Sequence, residues 1–207
     1  MSHTSILGQV RRYYDEKIKL HGATARGVDW NSAESQRLRF SELIKVCRET
    51  DGFSINDYGC GYGALVDFLL ERGNAFRYVG FDLSSGMTSA ARKLHAANAA
   101  DFVSKESKLQ PADYTVASGL FNVKLETRTL DWENYVLATV DSFDRLSTKG
   151  FAFNLLTRYS DREFMRPDLY YADPLFFFDY CKTRYSRFVS VSHDYPLYEF
   201  TVLVRKD

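Results

Sequence analysis

The stretch SINDYGCGYGALVDFLL, residues 54–70, has the pattern of a strand, a glycine-rich turn and a helix. The predicted strand covers Ser54 to Asp57, and the apolar run after the turn predicts a helix that ends at Gly73. The turn holds three glycines at alternate positions, Gly59, Gly61 and Gly63. Glycine permits positive φ and places no Cβ in the way of a ligand. The stretch therefore predicts a nucleotide-type site between a strand and a helix.

The composition limits the class of protein. A chain of 207 residues predicts a single domain over 1–207 with room for a core. The 27 basic and 27 acidic residues balance, which argues against nucleic acid or a membrane surface as partner, because both attract basic proteins. Three scattered cysteines without metal-ligand spacing predict no metal site and a reducing, cytoplasmic location. No signal peptide or membrane-length apolar run is apparent.

Strand-like and helix-like segments alternate along most of the chain. We expect residues 1–50 to form helices that cover the cofactor and substrate side, and residues 51–207 to form the core. The predicted parallel strands are Ser54–Asp57, Tyr78–Asp82, Asp101–Ser104, Asp113–Ala117 and Gly150–Leu155. Two further strands, Arg187–Ser192 and Tyr198–Arg205, are only five residues apart and must form an antiparallel hairpin. The pattern predicts an α/β fold whose sheet is mostly parallel, with one reversed strand.

Two classes of cofactor are compatible with the glycine turn. Residues 59–64 also match G-x-G-x-x-[GA], the fingerprint of dinucleotide-binding folds, and Asp82 stands where either class needs an acid for ribose hydroxyls. Asp57, however, precedes the turn where dinucleotide folds usually place an apolar residue. The terminal hairpin and the lack of length for a separate substrate domain also argue against that class. An NAD(P)-dependent oxidoreductase is kept as an alternative, as is a non-catalytic, cofactor-binding regulatory module.

Five segments carry a resemblance to a known family. DYGCGYG (57–63) resembles the first motif of class I S-adenosylmethionine-dependent methyltransferases, and FDLSSGM (81–87) resembles their second. ADYTVASG (112–119) resembles their fourth motif, and the terminal hairpin resembles their closing strands. The segment HGATARGVDWNSAESQRLRF (21–40) is similar to an uncharacterised bacterial branch with small-molecule acceptors. The resemblance implies a Rossmann-like fold, with S-adenosylmethionine as cofactor and S-adenosylhomocysteine as product.

The resemblance also implies which residues contact the cofactor. Asp82 would accept hydrogen bonds from both ribose hydroxyls, and Asp57 would lie near the amino group. Leu83 and Met87 would flank the adenine, although Met87 is equally compatible with a core position, and Glu106 would meet the adenine amine. The full implied set is Asp57, Gly59, Cys60, Gly61, Gly63, Asp82, Leu83, Met87, Glu106, Ser118 and Gly119.

Candidates for the acceptor side follow from where ligands bind in open α/β sheets, outside the carboxyl ends of the strands. His193, in the turn of the hairpin, is a candidate general base because histidine titrates near neutral pH; a structural turn histidine is the alternative. Asn122 is a second catalytic candidate, for holding the acceptor, with an ordinary turn residue as the alternative. Trp30, Tyr170 and Tyr171 are candidates for substrate binding, and burial against the sheet is the alternative for Trp30.

The reaction that these observations favour is methyl transfer to a small molecule. Transfer from a sulfonium mainly requires alignment, which can supply about 7–11 kcal/mol of the barrier. The segment after the fourth strand lacks the Asn/Asp-Pro-Pro-aromatic pattern of methyltransferases that act on exocyclic base nitrogens. We therefore expect O-methylation of a biosynthetic metabolite or sugar precursor, with no nucleic acid and no membrane as partner.

Overall fold

The computed structural model describes residues 3–30, 32–49, 52–98 and 100–206. Its strands are β1 (Phe53–Tyr58), β2 (Phe76–Phe81), β3 (Ala100–Val103), β4 (Ala112–Ala117), β5 (Ser147–Thr157), β6 (Tyr171–Ala172), β7 (Phe188–Ser192) and β8 (Glu199–Arg205). Its helices are α1 (His3–His21), α2 (Ala33–Ile44), α3 (Ala64–Glu71), α4 (Ser85–Leu94), α5 (Thr129–Arg145) and α6 (Pro174–Arg184). Short 3₁₀ helices cover Ala25–Val28, Glu106–Lys108 and Arg162–Phe164.

One mixed sheet carries the order β3-β2-β1-β4-β5-β8-β7. The pairs among β1 to β5 are parallel, and β8 runs antiparallel to both β5 and β7. This arrangement confirms the predicted Rossmann-like sheet with one reversed strand and a terminal hairpin. The carboxyl ends of β1, β2 and β4 come together at one edge, which is where the loops that follow them are placed for ligand binding.

The core has two layers because side chains alternate between the faces of a strand. Along β5, Phe151 and Phe153 pack with α5 and α6, whereas Ala152 between them packs with α2 and α3. Large rings on one face and small residues on the other let α2 approach β5 closely. The sheet is therefore covered on both faces, as the alternation of strands and helices predicts.

Local signals fix several helix ends. The sequence predicts Asn31 or Ser32 as the cap of α2. The Ser32 hydroxyl accepts a hydrogen bond from the Ser35 N–H at 3.1 Å and caps the helix, whereas Asn31 lies outside the described residues. Asp173 caps α6 through the Leu175 N–H at 3.0 Å, with Pro174 in the first turn as predicted. Helix α2 ends at Ile44, five residues before the end predicted from its apolar spacing.

Two expectations for the segment after β5 are wrong. The short strand β6, which pairs in parallel with the end of β5, lies in a stretch that the sequence predicts to be a loop. The three phenylalanines at the start of α6 predict burial on two sides or a ring in a pocket, but only Phe177 is fully buried. Phe176 is 40 % exposed and stacks on Tyr180, with ring centroids 6.0 Å apart. In α6, one face meets the core.

Within the described part of the chain, no helix is both long and apolar enough to cross a membrane.

Candidate functional site

The glycine turn after β1 is held by backbone hydrogen bonds to β2. The N–H groups of Gly59 and Cys60 both donate to the Phe81 carbonyl, at 2.7 and 2.9 Å. Gly61 has φ +56, and a Cβ there would stand 2.7 Å from the side chain of Val28. A side chain at this position would therefore be strained and would also fill the space above the turn. Glycine is required at position 61 both by the backbone conformation and by the close approach of the Val28 side chain.

Asp82, at the end of β2, faces this turn. Its carboxylate accepts hydrogen bonds from the N–H groups of Gly61 at 3.0 Å and Ser84 at 2.8 Å. A carboxylate has about four acceptor positions, so about two are free for a ligand. Burial raises the pKa of Asp82 to about 6, although both N–H groups act to lower it. The carboxylate is thus oriented by the backbone and keeps capacity for a pair of hydroxyl donors.

Asp57 and Cys60 are buried beside Asp82. The Tyr78 hydroxyl donates to the Asp57 carboxylate at 2.7 Å, and burial raises the pKa of this carboxylate to about 7. Burial also raises the pKa of the Cys60 thiol well above its ordinary value. A protonated, buried sulfur fits the role of a small filler better than that of a reactive thiolate.

A cavity of about 380 Å³, called here the first cavity, opens above the turn. Its size falls in the range of small-molecule and cofactor sites, roughly 300–1,000 Å³. Of the predicted cofactor residues, those that line it are Asp57, Gly59, Cys60, Gly61, Asp82, Leu83, Met87, Glu106, Ser118 and Gly119. The exception is Gly63, where a Cβ would meet Phe102 at 2.9 Å; it begins α3 and packs against the core. The buried Ser118 Oγ has no partner among the residues that the structure describes, which leaves a polar atom for a ligand.

Helices α1 and α5 each form a wall of the first cavity; α1 belongs to residues 1–50, which we expect to cover this side, whereas sequence reasoning missed the wall formed by α5. Helix α1 contributes Leu7, Val10, Arg11 and Tyr14, and helix α5 contributes Tyr135, Ala138, Thr139 and Ser142. The apolar spacing along α1 predicts a packed face, but nothing in that pattern says that the face lies over the glycine turn. That placement depends on contacts between α1 and residues far along the chain, such as the hydrogen bond from the Ser84 hydroxyl to Asp15.

A second cavity of about 140 Å³ adjoins the first. The walls common to both are Tyr14, Val28, Trp30 and Gly119. Gly119 has φ +65, and a Cβ on it would lie 2.0 Å from the indole ring of Trp30, so the ring lies directly on this backbone. The predicted acceptor residue Asn122 lines the second cavity. So do Arg39 and Glu199, a buried ion pair that sequence reasoning did not identify.

The other predicted residues of the acceptor side lie elsewhere. His193 is exposed at the hairpin turn, beside Tyr159 with ring centroids 6.2 Å apart, and lines neither cavity. Tyr170 is 2 % exposed and packs in the core, where its hydroxyl donates to Glu133 at 2.9 Å. The Tyr171 hydroxyl accepts the Arg166 N–H at 3.0 Å, so it supports a residue of the second cavity without lining it.

Comparison with known proteins adds independent findings. A family model described as "Methyltransferase domain" matches residues 55–146. The chain is 50 % identical, over 164 residues, to a Mycobacterium tuberculosis protein named "Putative methyltransferase Rv1506c", covering 79 % of this chain and 99 % of the other. Among solved structures, it resembles magnesium protoporphyrin IX methyltransferase (ChlM) from Synechocystis PCC 6803 with bound SAM. That likeness has a TM-score of 0.66 at 12 % identity and covers 100 % of this chain and 98 % of that one. A DhpI-SAM-HEP complex matches with a TM-score of 0.66 at 15 % identity, over 100 % of both chains.

Proposed function

We propose that this chain, which belongs to the class I S-adenosylmethionine-dependent methyltransferases, transfers a methyl group to an oxygen of a small-molecule acceptor. Family membership rests on the close relative and on the family model, and S-adenosylmethionine is the cofactor of the family. The oxygen acceptor is our inference. The observation that carries the small-molecule acceptor is the meeting of two cavities, one of cofactor size and one smaller, at Gly119. The choice of oxygen rests on the segment after β4, which lacks the Asn/Asp-Pro-Pro-aromatic pattern of enzymes that methylate exocyclic base nitrogens.

The residues of the first cavity fit S-adenosylmethionine. The free acceptor positions of Asp82 suit the two ribose hydroxyls, and the Asp57 carboxylate suits the amino group. The glycines of the turn let the backbone approach the ligand, and the side chains of Leu83 and Met87 offer apolar walls for the adenine. When bound, the cofactor supplies an electrophilic methyl group on a sulfonium, whose departure leaves a neutral thioether.

The second cavity supports a small acceptor. It lies under Tyr14 of α1 and the segment with Val28 and Trp30, and its volume is about 140 Å³. The balanced net charge of the chain gives no electrostatic preference for a polyanion. One protein of similar fold is named for a small molecule, magnesium protoporphyrin IX, and another was solved as a complex with SAM and HEP. These likenesses are distant, so they support the class of acceptor only by analogy.

Catalysis in this site would come mainly from alignment. Among the described residues that line the two cavities there is no histidine, so His193 stays a prediction without support from its position. Burial raises the pKa of Tyr14 far above its ordinary value, so its hydroxyl stays protonated and serves as a donor rather than a base. Holding the acceptor beside the methyl group can supply about 7–11 kcal/mol without a base. The new C–O bond forms as the C–S bond breaks, and the hydroxyl proton of the acceptor then passes to water.

A screen with radiolabelled S-adenosylmethionine tests the proposal. We expect label to pass to a neutral, hydroxyl-bearing metabolite, and calorimetry to show binding of S-adenosylhomocysteine. Label transferred to a nitrogen or carbon would overturn the oxygen assignment. Binding of NADH without S-adenosylhomocysteine would favour the oxidoreductase alternative, and cofactor binding without turnover on any metabolite would favour the regulatory module.

A further inference from the structure

Three buried polar side chains from separate elements line the second cavity, Arg39 of α2, Asn122 after β4 and Glu199 of β8, and a fourth, Asn154 of β5, lies behind them. Arg39 donates to both oxygens of Glu199, from Nε at 2.8 Å and from Nη2 at 2.6 Å. Asn154 Nδ2 donates to Glu199 at 3.0 Å, and Asn154 Oδ1 accepts the Gly119 N–H at 2.7 Å. Each of the four residues is at most 7 % exposed. We call this group the Arg39–Glu199 cluster.

Two polar atoms of the cluster have no partner in the described structure: Nη1 of Arg39 and Oδ1 of Asn122. The orientation of the Asn122 amide is set by Glu199, because its Nδ2 faces the carboxylate oxygen at 3.5 Å and the reverse orientation would set two oxygens against each other. The free pair is therefore one donor and one acceptor. Leaving such groups buried and unpaired costs about 1–3 kcal/mol each, so a ligand that pairs with them would be favoured.

The charges around the cavity are already compensated. Arg39 is paired with Glu199, and Asp29 accepts hydrogen bonds from Tyr13 and Lys17. Arg166, also on the wall, is paired with Asp168. Because every charged side chain of the wall has a partner of opposite charge, the cavity has little net attraction for an anion or a cation.

We infer that the Arg39–Glu199 cluster binds a hydroxyl group of the methyl acceptor. This acceptor is an uncharged compound that places one ring in the second cavity. A hydroxyl both accepts and donates, so one oxygen can accept a hydrogen bond from Arg39 Nη1–H and donate its O–H to Asn122 Oδ1. A carboxylate would set a second oxygen against Asn122, and an ammonium would face the guanidinium. The inference rests on the proposed function for the identity of the ligand as acceptor.

The size and walls of the cavity agree with this assignment. About 140 Å³ is close to the roughly 150 Å³ of an engineered protein cavity that holds benzene. The indole of Trp30 covers the Arg39 guanidinium at 3.9 Å, which holds the donor group in place. Because Trp30 and Gly119 also border the first cavity, a ring held by the cluster lies next to the cofactor site.

The test uses three probes that share one ring: cyclohexanol, cyclohexanecarboxylate and cyclohexylamine. The full chain, labelled with ¹⁵N and saturated with S-adenosylhomocysteine, is titrated with each probe while the Asn122 side-chain amide and the Trp30 indole are followed by NMR. We expect cyclohexanol to shift both signals. The charged probes should bind at least about tenfold more weakly than cyclohexanol, because they leave a buried group unpaired.

Three variants distinguish ligand binding by the cluster from a role of the cluster in folding. Asn122→Ala removes the free acceptor but leaves Glu199 bonded to Arg39 and Asn154, so it should fold and lose the preference for cyclohexanol. Arg39→Lys removes Nη1 and provides a second test if its melting temperature shows that it folds. Asn98→Ala, which removes an asparagine that contacts His95 after α4, is the matched control and should bind cyclohexanol like the unmodified protein.

Three outcomes would overturn the inference. Tighter binding of cyclohexanecarboxylate would make the cluster an anion site, and tighter binding of cyclohexylamine would make it a cation site. Shifts at neither signal with any probe would make the cluster purely structural. The proposed function is tested separately with the same unmodified protein. A failure to bind S-adenosylhomocysteine would contradict the proposed function, even where the protein still prefers cyclohexanol to the charged probes.

Discussion

At the scale of single residues, Asp82 is the best-defined contact that we propose for the cofactor. It is oriented by the N–H groups of Gly61 and Ser84 and keeps acceptor capacity for two hydroxyls. We expect Asp82→Asn to weaken binding of S-adenosylhomocysteine about 10- to 100-fold, since hydrogen bonds to a charged group contribute about 1.5–3 kcal/mol. Isothermal calorimetry measures the change. The control is Asp101→Asn, which alters an exposed acid on β3; an equal loss there would contradict the role of Asp82.

The pKa values of the two buried carboxylates predict how binding depends on pH. In the ligand-free protein, burial raises the pKa of Asp82 to about 6 and that of Asp57 to about 7. Only the ionised forms accept both ribose hydroxyls and attract the amino group. Affinity for S-adenosylhomocysteine should therefore be highest above pH 7 and decrease as the pH falls through 7 and then 6. Calorimetry across this range measures it, and Asp82→Asn should lack the lower step.

The same two pKa values predict an opposite effect on the stability of the ligand-free protein. The folded state binds these protons at a higher pH than the unfolded chain does. The contribution of Asp57 and Asp82 to the free energy of unfolding therefore increases as the pH falls from 7 toward 4. Opposite slopes for binding and stability would distinguish these carboxylates from a general loss of structure in acid.

Gly119 forms the boundary of the two cavities, where a Cβ would lie 2.0 Å from the Trp30 ring. We expect Gly119→Ala to displace Trp30 and lower kcat/KM about 100-fold, because small misplacements in an aligned site are costly. Gly73→Ala is the matched control: its φ of +73 brings similar backbone strain, but a Cβ there meets nothing within 4 Å. Assays of both variants, with melting temperatures, separate strain from displacement. Equal losses in the two variants would contradict the role of Gly119.

At the scale of elements, helix α1 is tied to the segment that carries Val28 and Trp30. Asp29, in the left-handed region with φ 63, accepts a hydrogen bond from the Tyr13 hydroxyl at 2.7 Å and pairs with Lys17. Because Tyr14 and Val28 line both cavities, this tie holds two of their walls together.

Asp29→Gly removes the tie without adding backbone strain, since glycine adopts positive φ freely. We expect faster amide hydrogen exchange in residues 3–21 and a severalfold loss of affinity for S-adenosylhomocysteine, because the cover over the first cavity opens more often. Lys17→Met keeps the bond from Tyr13 and should have an intermediate effect. Unchanged exchange in α1 would show that core packing of Ile6 and Val10 alone holds the helix.

At the scale of the whole molecule, the first cavity joins β1, β2 and β4 with α1 and α5, so a ligand there should stabilise the entire fold. At a ligand concentration of 100 times Kd, linkage adds about 2.7 kcal/mol to the free energy of unfolding. For a chain of this size, that corresponds to a rise in Tm of roughly 5–11 °C. Differential scanning fluorimetry with S-adenosylhomocysteine measures the shift, which should shrink for Asp82→Asn at the same concentration.

The fold could be predicted largely because its signals are local. Five residues between two strands force a hairpin, and a glycine turn between an apolar strand and an apolar helix marks the first unit of the sheet. The two features that the sequence predicted wrongly, strand β6 and the exposure of Phe176, lack such local signals. Strand β6 has two residues and exists through its pairing with β5. Phe176 is exposed although it is the first of three consecutive phenylalanines, because only one side of α6 meets the sheet.

By itself, the sequence determined the sheet, the family and the residues of the first cavity that stand in contiguous motifs, from Asp57 to Gly61 and from Asp82 to Met87. The backbone places contiguous residues at the end of a strand close together in space. Their position in the site can therefore be predicted from the sequence alone. The tertiary structure decided the second cavity. Arg39 and Glu199 are 160 residues apart, one in the segment 21–40 and the other in the terminal hairpin, and no pattern in the sequence links them. Their pairing depends on α2 packing across the face of β8, and a buried ion pair of this kind has no signature along the chain.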